Sequence, residues 1–129
     1  MPRWGRIVFG GMVAEAILFA LVILTNLAGG GQRAITIVAV AGSYLAFVPV
    51  AWWLGRSLSR PMLHGALMGA AAAAIYVLVG VVGRQFVRDA PTMPLIYYVA
   101  HMLKLLGGAT GGWLAQRFAA SASSSPAVT

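Results

Sequence analysis

Apolar residues run along this chain in four long stretches, at about 7–27, 34–54, 62–82 and 95–118. The runs are continuous and not alternating, which predicts helices and not barrel strands. Each holds roughly the 20 residues needed to cross a hydrocarbon core. The breaks between them read GGGQR, GRSLSRP and GRQFVRDAPTMP. The predicted fold is therefore all-α: a polytopic bundle of four transmembrane helices with short loops, occupying residues 1–120. The small polar stretch 121–129 is expected to be a disordered tail. The first run is longer than a signal-peptide core and contains an acid, so it reads as a retained span.

Composition sharpens the class. Of 129 residues, 60% are hydrophobic and 9% charged, where a water-soluble domain carries about 25% charged residues. The mean hydropathy is +0.88. The net charge of +7 does not point to nucleic acid, because the arginines are scattered singles at the ends of apolar runs, where topology signals belong. Counting them favours an N-in, C-in arrangement. Arg3, Arg6, Arg56, Arg60 and Arg117 would lie inside, against Arg33, Arg84 and Arg88 outside, with Asp89 offsetting one. Trp4, Trp52, Trp53 and Trp113 fall near the same inner boundary, where amphipathic rings prefer to sit. The expected location is the plasma or inner membrane, multi-pass, with both termini cytoplasmic. With no cysteine, thiolate metal sites and thiol nucleophiles are excluded.

At about 100° per residue, two kinds of helix face separate. In the fourth run, Tyr97, Ala100, His101, Lys104, Gly107, Gly108, Gly111 and Ala115 share one small and polar face, while Leu95, Val99, Met102, Leu106 and Trp113 share a bulky one. The pairs Gly107/Gly111 and Gly108/Gly112 let another helix backbone approach closely. They predict inward contacts or a homodimer seam. The third run carries a similar stripe of Gly65, Gly69, Ala72, Tyr76 and Gly83. The first has Gly11 and Glu15 on one face, with Asn26 three turns along.

Two of these residues stand out. Glu15 and Lys104 each fall near the middle of a run, on the order of 15 Å from either interface, too deep to snorkel out completely. An isolated charge there costs about 2.5–3.5 kcal/mol. Each is the sole group of its sign near the bilayer centre, so pairing is the cheaper solution. The expectation is that Glu15 and Lys104 meet between the first and last helices, with His101 near enough to join them. Tyr97 and Asn26 complete the candidate polar site for a proton or substrate.

Other chemistry is thinly represented. His64 near an inner helix end and His101 beyond mid-span would differ in depth by roughly 15 Å, which opposes shared haem ligation. Neither a metal set nor another cofactor is expected. No phosphate-binding loop, serine elbow or HExxH occurs, and no enzyme activity is expected. Ser43, with Thr36 on its face, is expected to bond back to its own helix.

The segment GGMVAE, Gly10 to Glu15, in a short chain with four helices, resembles the first helix of the small multidrug resistance exporters. That resemblance implies a dimer in which Glu15 alternates between a proton and a cationic substrate. The Gly-to-Glu spacing is one residue shorter than in that family. The second and third runs lack its aromatic and glycine signature, and Lys104 would compete with a cation for Glu15. Two functions are thus expected: a small structural or accessory membrane protein docked by Glu15, His101 and Lys104, or a proton-coupled transporter of small molecules or cations using Glu15. Expected partners are the lipid bilayer and a homo-oligomer or larger membrane complex.

Overall fold

The computed structural model describes residues 3–86 and 95–123, with side chains over 3–82 and 95–119. Every regular element described is a helix: α1 (Trp4–Leu27), α2 (Gln32–Leu45), α3 (Phe47–Gly55), α4 (Pro61–Phe86) and α5 (Leu95–Ser123). Apolar side chains give such segments no reason to leave lipid, and helices satisfy their own backbone groups there.

Local chemistry sets the boundaries. α1 ends where Gly29 takes φ +78°, a left-handed conformation that glycine adopts without penalty. The N–H of Gly29 then donates to the Asn26 carbonyl (3.0 Å) and that of Gly30 to Thr25 (2.9 Å), closing the helix end. The second expected span is one rod broken at Ala46 into α2 and α3. Pro49 explains the break: it has no N–H for the Leu45 carbonyl, and its ring crowds that group. The break delivers Phe47, fully buried, into the core. α4 starts on Pro61, a favoured first residue because its missing N–H would have no helical partner anyway.

Two expected ends move. α4 runs on to Phe86, into the expected connection, and α5 runs to Ser123, so residues 121–123 of the expected tail are helical. The rest of that connection (87–94) and of the tail (124–129) lies outside the described residues.

Three segments are long and apolar enough to cross a membrane: Trp4–Leu27, Gln32–Gly55 and Pro61–Val82. α5 has the length, but His101, Lys104 and four glycines dilute its apolar residues. Its two faces nonetheless separate as the sequence indicates. Ala100, His101, Lys104, Gly107, Gly108 and Gly111 are buried, whereas Leu95, Met102 and Leu106 are more than half exposed.

α5 is the keystone. It packs against α4, α3 and α2, while α1 packs against α4, α2 and α3. The glycine pairs of α5 serve two different neighbours. A Cβ on Gly108 would overlap the Gly65 carbonyl of α4, and one on Gly112 the Pro61 carbonyl. A Cβ on Gly107 would overlap the Tyr44 carbonyl, and one on Gly111 the Val48 carbonyl, on the α2–α3 rod. The GGxxGG run is thus packed against helices of its own chain. With Ile7, Phe47, Val50 and Met68 of the apolar core, these contacts make the half of the molecule near the α3–α4 connection tightly packed.

Replacing Gly65 by Ala should therefore cost about 1–3 kcal/mol of stability or more, because backbone cannot give way, and this should be read as a lower unfolding temperature in detergent. Gly5 has open space around it, so G5A should be neutral or slightly stabilising. Equal stability of G65A and G5A by circular dichroism melting would refute this packing.

Candidate functional site: a charged cavity between α1 and α5

Among the described residues, α1 and α5 make no close backbone approach. They face one another across a gap flanked by α2 and α4, and two long side chains bridge it. The Lys104 ammonium donates to Glu15 Oε1 in an ion pair, with Lys104 2% and Glu15 15% exposed. Each charge answers the other, as the cost of an isolated buried charge requires. The ammonium also lies 5.1 Å from the ring centroid of Tyr76, within range of attraction to the ring face.

His101 sits one turn before Lys104 on the same face of α5. It is 5% exposed, and its ring packs on Tyr76 with centroids 4.7 Å apart and planes at 56°. It makes no hydrogen bond to the Glu15–Lys104 pair. Among the described residues, neither of its ring nitrogens has a partner, and neither does Oε2 of Glu15. These atoms are buried polar groups with unmet hydrogen-bonding capacity.

The gap is a half-enclosed cavity of about 190 Å³, whose walls include Glu15, Ser43, Tyr76, Tyr97, His101 and Lys104. At about 30 Å³ per molecule it has room for roughly half a dozen waters. Ser43 donates to the Ala39 carbonyl (2.7 Å) and Thr36 to Gln32 (2.9 Å), so both bond back to their own helix as expected. Glu15 also edges a second, almost wholly apolar groove of about 360 Å³ between α1 and α4, lined by Met12, Ala16, Phe19, Ile75 and Val79.

One sequence expectation changes here. Asn26 is exposed at the end of α1 and does not line the cavity. Its distance along the helix from Glu15 carries it past the mouth. His64, at the start of α4, is buried: Nδ1 pairs with the Arg60 carbonyl at 2.8 Å, and Nε2 accepts the Arg3 N–H at 3.4 Å. Both of its nitrogens are occupied, and it ties the start of α1 to the start of α4. Tyr76 was visible in the third run's stripe, yet its place beside Lys104 depends on the angle between α4 and α5, which periodicity does not give.

The same end of the molecule carries the tryptophans. Arg56 lies over the Trp52 ring (4.5 Å) and Arg117 over Trp113 (5.1 Å), while Trp52 meets Phe118 edge-on at 6.3 Å. Arg6 donates to Ser57 Oγ there. Comparisons with protein-family models, curated proteins and solved structures give no match to this chain.

Removing one partner of the pair leaves the other charge buried and alone. K104M should cost about 3–5 kcal/mol, read as a lower unfolding temperature in detergent and poor accumulation in membranes. Wild-type stability of both K104M and E15Q would mean that the pair contributes nothing.

Proposed function

We propose that the chain is a four-span membrane protein of transport type, with α5 as its fourth span. In this reading it binds and releases a proton or small solute at the Glu15–Lys104–His101 site. The cavity carries the reading. A purely static clamp needs no open space beside it, whereas an exchanging site does. An ionisable cluster inside a membrane domain is itself a sign of function, and the pair keeps the empty site neutral. The arginine and tryptophan residues gathered at the α3–α4 end favour placing that end, with both termini, in the cytoplasm of a cell membrane.

A second reading is favoured by the buried, fully engaged lysine: a structural or accessory protein, docked through Glu15–Lys104 and working within a larger complex or homo-oligomer. It leaves the orphan nitrogens of His101 without a purpose. Cation exchange of the multidrug-exporter kind fits less well, because Lys104 of the same chain already occupies Glu15.

A water-soluble carbodiimide separates the two readings. If the cavity is wet, the reagent should activate Glu15, and the adjacent Lys104 amine should capture it. Mass spectrometry would then find an internal amide joining α1 to α5, lighter by one water. Reaction only with a membrane-soluble carbodiimide, or none at all, would support the static clamp.

A further inference from the structure

Positive charge gathers at the α3–α4 end of the molecule without an acid to answer it. Arg3, Arg6, Arg56 and Arg60 are all exposed there. Among the described residues the sole acid is Glu15, and it is held by Lys104 inside the bundle. Exposed arginines at a membrane boundary set orientation and attract anionic headgroups diffusely. One of them has more than that. Arg6 donates to Ser57 Oγ and Arg56 lies over the Trp52 ring, whereas the Arg60 side chain borders an open groove of about 440 Å³ between α4 and α5. The Arg60 backbone is fixed in place by its carbonyl, which meets both the ring and the N–H of His64.

The groove is divided by kind. Met62, Leu63 and Ala66, from the first two turns of α4, form its apolar wall, and Ser59, Arg60 and Gln116 its polar lip. The packing of α5 along α4 puts those three at one level. Gly108 faces Gly65 and Gly112 faces Pro61, so Gln116, one turn further along α5, stands beside the residues that precede α4. Pro61–Val82 is long and apolar enough to cross a membrane. Its first turn therefore marks where headgroups meet hydrocarbon, with the polar lip on the headgroup side and the apolar wall running inward.

A phospholipid has the same division. The planar guanidinium of Arg60 matches two phosphate oxygens, and the Ser59 hydroxyl and Gln116 amide offer further donors. An acyl chain continues along Met62, Leu63 and Ala66. Headgroup charge decides which lipid fits. A zwitterionic lipid would bring its own cation into a rim already crowded with arginine, while an anionic one brings only the sign that is missing.

We propose that the α4–α5 groove is a binding site for an anionic phospholipid, with its phosphate at Arg60, Ser59 and Gln116 and an acyl chain on Met62, Leu63 and Ala66. The site is separate from the Glu15–Lys104 cavity and requires only that the chain span a bilayer.

The test is competitive. The full chain in detergent is given an equimolar mixture of phosphatidylglycerol and phosphatidylcholine with identical acyl chains, and the lipids it retains are counted by native mass spectrometry. The wild type should hold phosphatidylglycerol in preference. R60Q keeps the backbone carbonyl that His64 uses, and it should lower that preference about fivefold, the worth of one arginine near an anionic surface. R33Q, at the far end of the molecule, and R56Q, on the same rim but outside the groove, each remove an equal charge and should keep most of the preference. Glycerol 3-phosphate at the concentration of the lipid should not displace it. No preference in the wild type overturns the inference. So does a loss in R33Q or R56Q as large as that in R60Q, which would mean diffuse attraction to the charged rim. Displacement by glycerol 3-phosphate also overturns it, because the site would then take free phosphate and not a lipid.

Discussion

The cost of leaving a charge buried alone organises this molecule. Glu15 and Lys104 are separated by 89 positions in the chain, and neither has an oppositely charged group within two turns on its own helix. Their pairing therefore decides which face of α1 turns inward and how α1 is set across the gap from α5. Because those two backbones do not touch, the pair works as a strut across open space and not as a staple between packed helices. A strut of this kind creates the cavity that it spans. The polar site and the docking of the first helix are consequences of one interaction.

The remainder of the packing is arranged to make that possible. α5 is wedged between α4 and the α2–α3 rod by glycines whose absent side chains let carbonyls come close, as small residues do where lipid removes the hydrophobic drive between helices. These contacts concentrate toward the α3–α4 end. Beyond Lys104 they stop, and large residues such as Leu78, Val79, Leu95 and Tyr98 stand exposed on the outside. One half of the molecule is rigid by close backbone contact. The other is held apart by side chains, where a pocket can persist and where motion costs least.

Much of this was legible in the sequence, for reasons of periodicity and charge. Helical spacing placed His101 and Lys104 on the small-residue face of α5 and put Leu95, Met102 and Leu106 on the face left exposed. Scarcity of charge paired Glu15 with Lys104. What escaped depended on the relation of one helix to another. Spacing alone could not say that Gly107 and Gly111 meet α2–α3 while Gly108 and Gly112 meet α4, nor that Tyr76 would back the lysine. Asn26 shares a face with Glu15 on paper, but lies beyond the cavity because α1 outruns it. The break at Ala46 did have a local signal, Pro49 inside the second apolar run, and His64 found its carbonyl partner one turn back at Arg60.

Exchanging the two charged residues tests the strut most directly. The account predicts that E15K and K104E each lose most of their folded population in detergent, each placing two like charges across the gap. The double variant E15K/K104E, which restores opposite charges, should recover most of the lost thermal stability. A double variant no more stable than the poorer single one would contradict the account, since the two side chains would then not depend on each other.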